Sequence, residues 1–200
     1  MTPSQLAATT PTKTRNRRFD PERRDRLIDT ALNVIAAKGV AGATHREIAR
    51  EADVPLGSMT YHFANMDELL YLAFSRFVET CAARFDVRMQ QSQTPEQAQE
   101  AVVQGIVKDY LGTSEEMILA YELYAVAARK PLLREIMQQW MEASQHSLQR
   151  HFTADDARII DAFIEGLIVH GSLAVEPMTE GEVRAAVHRL TDPLLLQRKQ

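Results

Sequence analysis

The chain has little of what stabilises or catalyses by special chemistry. Its 200 residues include one cysteine, Cys81, so neither an intramolecular disulfide nor a cysteine-based zinc site can form. Aromatic residues make up 6%, and glycine and proline number 8 each. That is too little turn and β-former material for an all-β chain. No apolar run reaches the ~18 residues of a membrane span. The first 18 residues, rich in Thr, Pro and Ala, lack the apolar stretch of a signal peptide, so the expected compartment is the cytoplasm. The six histidines include no pair three or four apart, and no phosphate loop, nucleophile elbow or zinc motif is present. No metal, cofactor or enzymatic activity is therefore expected. Asp155-Asp156 and Glu115-Glu116 read as charges favoured at helix starts rather than as a catalytic pair. Cys81 falls on an apolar stripe and is expected to pack as a small hydrophobe.

What the chain does have is an uneven charge. The net of −4 divides into +3 over residues 1–62 and −7 over residues 63–200. Residues 13–26 alone carry seven basic and three acidic side chains. A basic end on an acidic body suggests a region that meets a polyanion, although a solubilising tail would look the same from charge alone.

Apolar residues recur at helical spacing through most of the chain. Residues 1–18 read as a disordered arm carrying Lys13, Arg15, Arg17 and Arg18. Asp20-Pro21 opens a first helix with Leu27, Ile28, Ala31, Leu32 and Ile35, closed at Gly39 by a left-handed cap. Thr44-His45-Arg46-Glu47 predicts a reciprocal capping box, and Ile48, Ala49 and Ala52 give that second helix a narrow face of small residues. Asp53-Val54-Pro55 breaks it, and a short third helix is expected over about residues 56–62, with Met59 and Phe63 inward. Asn65-Met66-Asp67-Glu68 opens a long fourth helix. Thr94-Pro95 opens a fifth, closed at Gly112, and Thr113 a sixth, broken at Lys130-Pro131. Pro131 starts the seventh, Thr153 a very apolar eighth, and Thr179 the last, which Pro193 is expected to end by residue 192. No strand-like alternation competes, so the expected fold is all-α with about nine helices.

Residues 44–63 have helix-turn-helix spacing. A short, exposed second helix suits a major groove about 12 Å wide, and Leu56, Gly57, Ser58, Tyr61 and His62 offer hydroxyls, apolar surface and close backbone approach. Tyr61 and His62 could equally be a packed aromatic and a surface histidine.

The full string is more specific. Arg26-Leu27-Ile28 with Ala31-Leu32, Lys38-Gly39-Val40, Thr44-x-Arg46-x-Ile48-Ala49, Ala52-x-Val54, Gly57-Ser58-Met59, Tyr61-His62-Phe63 and Glu68-Leu69-Leu70 resemble the DNA-binding domain of the TetR family of bacterial regulators. The resemblance covers residues 21–72. It implies that Thr44 and Arg46 hold phosphates or reach a base, that Pro55, Leu56, Ser58 and Tyr61 line the recognition face, and that His62 lies at the DNA backbone. Two positions depart from the family pattern: Pro55 replaces a capping Ser, and Met66 replaces a Lys, so the Arg17/Arg18 arm is expected to supply charge instead. A narrower resemblance, carried by residues 54–61, Arg129-Lys130-Pro131-Leu132-Leu133 and Gln139-Trp140-Met141, is to the RcdA (YbjK) branch, where activation joins repression as an option.

The resemblance divides the chain into a basic arm (1–18), a helix-turn-helix DNA-binding domain (19–65) and a helical effector-binding and dimerisation domain (66–200). It implies a small-molecule cavity among helices four to eight. Phe74, Phe77, Tyr110, Met117, Tyr121, Tyr124, Met137, Trp140 and His170 are the candidates, each of which could be ordinary core. The helix over 154–175 is apolar on more than one face, with Gly166, Gly171 and Ala174 permitting close approach, so it and the helix over 179–192 are expected to pair two chains. The expected function is a ligand-responsive, sequence-specific transcriptional regulator, a repressor or an activator, whose partners are operator DNA, an effector and a second copy of itself. The alternative is a helical enzyme or small-molecule-binding protein with a merely solvated basic end.

Overall fold

The computed structural model describes residues 22–110 and 114–197, and among them every regular element is helical. The α-helices are α1 (Arg23–Gly42), α2 (His45–Glu51), α3 (Gly57–His62), α4 (Met66–Gln91), α5 (Pro95–Gln104), α6 (Ser114–Ala127), α7 (Pro131–Leu148), α8 (Ala154–Leu173) and α9 (Glu180–Gln197), with a π-helical segment, Gly105–Tyr110, after α5.

The helix starts follow their caps. The side chains of Thr44, Asn65, Thr94 and Thr153 each accept from the backbone N–H three residues on, removing one orphan donor per helix. Gly39 has φ +70° and ψ 170°, and α1 resumes for one turn beyond it. Gly39 therefore bends the first helix instead of closing it with a left-handed cap, and three further details differ from the sequence reading. The Glu47 carboxylate does not return to Thr44; it accepts from Lys38 Nζ and, at 2.7 Å, from Arg50, because two cations within reach outcompete one amide. The fifth helix gives way to π-helical turns at Gly105, well before Gly112. Helix α9 continues through Pro193. Proline removes one N–H and leaves the carbonyl of Arg189 without its helical donor, and Arg189 is exposed, so water can serve it.

Helix α4, 26 residues and about 39 Å long, runs through both hydrophobic clusters. Its first half, with Leu69, Leu70, Phe74 and Phe77, packs with α1–α3 and with Leu123, Val126, Leu133 and Ile136 of α6 and α7. Its second half, with Phe85 and Met89, packs with α5, α8 and α9. Polar ties reinforce these contacts. Arg84 grips Glu116 through two N–H groups at 3.0 and 2.7 Å, and Asp86 accepts from Ser147 at 2.9 Å and Arg150 at 3.0 Å. Cys81 is buried beside this helix's apolar stripe. No described helix is long and apolar enough to cross a membrane.

Candidate nucleic-acid interface and ligand cavity

The turn between α2 and α3 is sharp because Asp53 adopts φ +51°, a conformation Asp tolerates better than most residues. Helix α3 has no side-chain cap; instead Ser58 N–H donates to Pro55 O at 2.8 Å and Met59 N–H to Leu56 O at 3.0 Å. Proline at 55 supplies no capping oxygen from its side chain, but its ring fixes φ for the first turn. Two side chains anchor the helix inward: Met59 and Phe63 are buried. The opposite face is open. Tyr61 is 84% exposed and Leu56 51%, Pro55 and Thr60 are exposed, and no atom lies within 4 Å of where a Cβ on Gly57 would stand. Tyr61 and His62 meet edge to face at 4.9 Å. His62 is half-buried, and burial, helped by Arg23 and Arg24, holds its imidazole below the usual value, so it is neutral at pH 7. Thr44 and Arg46 project into solvent at the start of α2. Behind them Glu47, held down to about 2 chiefly by its bonds from Arg50 and then Lys38, links α2 to the end of α1. Arg17 and Arg18 lie outside the described residues.

This unit packs on α6 through the shared core, and one polar bond joins them at the end of α1. Val40 N–H donates to Glu122 Oε2 at 2.7 Å, and Glu122 Oε1 would stand 2.9 Å from a Cβ at Gly39. A side chain at 39 would therefore push on the Glu122 carboxylate, whose flexible end would have to shift.

Two residues further along α6, Tyr124 lines a cavity of about 640 Å³ between α6, α7 and α8. Met137, Trp140 and Met141 of α7 and Ile164 and Ile168 of α8 form its apolar walls; Asp161, Glu165, Arg158, Ser144 and Gln145 supply polarity. Tyr124 donates to Glu165, and Gln145 Nε2 donates to Asp161 at 3.1 Å. Burial raises both carboxyls above their ordinary range, and hydrogen bonds offset part of that rise. Their charged forms are thus disfavoured in the fold. A carboxyl raised in the folded state contributes stability below its unfolded value and loses it as pH rises through the folded value. Glu165→Gln is accordingly expected to melt above the parent protein at pH 8, with the gap shrinking towards pH 4, as followed by circular dichroism.

Of the residues singled out by sequence, Tyr124, Met137 and Trp140 line this cavity. Phe74, Phe77 and Met117 are buried in the core, with Phe77 set edge-on to Trp140 at 5.6 Å. Tyr121 bonds Ser172 near the C-terminal end of α8, and His170 is exposed. Tyr110 closes the π-helical segment, and its side chain lies outside the described residues. Asp161 and Glu165 were not foreseen. Their signal was two acids spaced four apart within the otherwise apolar stretch 159–169 of α8. Among the described residues no group of three or more His, Cys, Asp or Glu side chains is placed to hold a metal ion.

Residues 27–71 match the profile of the bacterial regulatory proteins of the tetR family, and residues 93–193 that of the tetracyclin repressor-like C-terminal domain. A candidate transcriptional regulator of Streptomyces coelicolor A3(2) is 40% identical, with a TM-score of 0.81 over 86% of this chain and 99% of that one. The multidrug binding protein EbrR, in its complex with ethidium, is 36% identical, with a TM-score of 0.74 over 86% of this chain and 99% of its own. The HTH-type transcriptional regulator BetI 2 of Chromohalobacter salexigens is 27% identical over 191 residues, 88% of this chain and 90% of that protein. These matches span both halves of the chain and do not single out the RcdA branch.

Proposed function

The chain belongs to the TetR family of bacterial regulatory proteins and is a DNA-binding transcriptional regulator, and on that footing we propose that it works as an effector-released, homodimeric repressor in the cytoplasm. The observation that carries this reading is α3: a two-turn helix pinned by Met59 and Phe63, presenting Tyr61 and Leu56 to solvent beside the exposed Thr44 and Arg46. That face suits the major groove, with Tyr61, Ser58, Leu56 and Pro55 at base edges, Gly57 allowing close approach, and Thr44, Arg46 and His62 at phosphates. Residues 19–65 then form the DNA-reading unit, and residues 66–200 the effector-binding and pairing unit. Regulation rather than catalysis also fits the relatives from Streptomyces coelicolor and Chromohalobacter salexigens, whose names describe transcriptional regulators.

Two copies pair through α8 and α9. Ile159 and Leu173 of α8 are 53% and 68% exposed, and the space over Gly166 is open, so a second α8 can pack against this stripe. Pairing sets two α3 helices on one side of an imperfect palindrome, with half-sites about 34 Å apart or more. Ile159→Arg is expected to yield monomers in analytical ultracentrifugation and to lower operator affinity roughly tenfold or more, because the second half-site no longer binds intramolecularly.

The effector occupies the cavity lined by Tyr124, Met137 and Trp140. EbrR, similar along nearly its whole length, is a multidrug binding protein seen with ethidium, which supports an organic ligand here too. Tyr124 in the cavity and Glu122 at Val40 share α6, so a shift of α6 reaches the DNA-reading unit. The test is genome-wide selection of bound fragments with purified protein. A recovered palindrome of two half-sites is expected; the absence of any enriched site would overturn the reading in favour of a small-molecule-binding protein.

A further inference from the structure

We infer that the cavity between α6, α7 and α8 takes an aromatic organic cation, and that Asp161 and Glu165 are the groups that recognise its charge. This rests on the effector reading above and specifies it. The two carboxylates stand one turn apart on α8 and both line the cavity, an arrangement that opposes helix formation by like-charge repulsion. Their bonding partners are neutral (Ser144 and Gln145 for Asp161, Tyr124 for Glu165), and no cationic side chain among the described residues forms an ion pair with either. Arg158 also lines the cavity but is exposed, where water and salt screen it, whereas the carboxylates are half-buried. A neutral ligand offers the ionised carboxyls no compensating charge, and an anion would meet them in repulsion.

The remaining wall decides what kind of cation fits. Trp140 and Tyr124 line it with aromatic rings, whose faces attract cations, and the methionines offer polarizable surface that moulds to flat or irregular shapes. A bare metal ion would use none of this. The volume of about 640 Å³ is that of a site for a drug-sized molecule.

Proton exchange follows. Burial disfavours both ionised carboxyls, so a cation that needs them ionised displaces protons. The other titratable groups lining the cavity are Arg158 of α8 and Tyr124 of α6; α7 contributes Ser144 and Gln145 but no titratable side chain. Cation affinity therefore falls as pH is lowered, with protons released on binding.

Trp140 is the single tryptophan of the chain and stands in the cavity wall, so its fluorescence reports occupancy directly. The full-length protein is titrated with tetraphenylphosphonium, with tetraphenylborate, which has the same shape and the opposite charge, and with planar ethidium as a second cation. Expected are saturable changes with both cations, affinity at least tenfold tighter for tetraphenylphosphonium than for tetraphenylborate, and weakening between pH 8 and pH 5. Asp161→Asn and Glu165→Gln are expected to weaken the cations about tenfold each while melting at or above the parent temperature at pH 8, which separates lost recognition from lost fold. Calorimetry in buffers of different ionisation enthalpy is expected to show protons released by the parent protein and none by the double variant. Tetraphenylborate binding as tightly as its cationic twin, cation affinities unchanged in both variants, or no saturable binding of either cation would overturn the inference. Release of a selected operator fragment is measured in parallel. Carboxylate-dependent cation binding that leaves the fragment bound upholds the ligand class and defeats the regulatory reading. Release by tetraphenylborate upholds regulation and defeats the ligand class.

Discussion

Tyr61→Ala is expected to reduce affinity for the selected operator about 30-fold or more while leaving the melting temperature nearly unchanged. Tyr61 is 84% exposed, so the fold loses little when its ring is removed. In the complex that ring is the largest group α3 can place against base edges. A good base contact is worth about 1–3 kcal/mol of discrimination, and the substitution occurs twice per dimer. The loss is expected to fall on the specific sequence. A competition assay with random DNA checks this: non-specific affinity should stay within about threefold, because phosphate contacts dominate it. Arg46→Ala makes the contrast. It should weaken specific and random DNA alike and flatten the salt dependence by about one phosphate contact per protomer. Equal, sequence-independent losses from both substitutions would defeat groove reading by α3.

Gly39→Ala is expected to destabilise the protein by about 3 kcal/mol, a fall of roughly 6–12 °C in melting temperature for a chain of this size. Two effects add. At φ +70° and ψ 170° an L side chain is strained by about 1–3 kcal/mol. The new Cβ would also lie 2.9 Å from Glu122 Oε1, so the flexible carboxylate must shift, weakening the bond that its other oxygen accepts from Val40 N–H, a charged hydrogen bond worth about 1.5–3 kcal/mol when intact. The partition can be checked with a double-mutant cycle against Glu122→Ala. The clash and the hydrogen bond vanish in that background, leaving strain alone, so the coupling should be at least about 1 kcal/mol. Glu122→Ala by itself tests transmission. Operator binding should persist while effector-induced release weakens, because α6 keeps its apolar packing on α1 but loses its polar bond to the bend. A melting temperature for Gly39→Ala within about 2 °C of the parent would show that the bend relaxes freely and is no latch.

Much of the molecule was legible along the chain. Thr44, Asn65, Thr94 and Thr153 begin helices because a short oxygen side chain three residues before a free N–H is a local solution, complete within one turn. Met59 and Phe63 point inward and Tyr61 outward because helical periodicity sorts them. Glu47 shows the limit. Its spacing promised a return bond to Thr44, but Lys38, on the preceding helix, lies close enough in space to claim it together with Arg50. Among the cavity candidates, Phe74 and Tyr124 look alike in sequence as aromatics on apolar stripes. Only the packing of α7 against α8 leaves space beside one and none beside the other.

The sequence by itself determined the all-helical architecture, the helix-turn-helix with its exposed reading face, and the family. These depend on residues within a turn or two of one another, where caps, periodicity and φ preferences act. The tertiary structure alone decided that Glu122 bonds Val40, beside the bend at Gly39, from 82 residues away, and that Asp161 and Glu165 share a half-buried cavity. Both depend on how far separate helices approach. That distance is set by the summed packing of two continuous hydrophobic clusters, to which residues from the whole chain contribute and which no local pattern encodes.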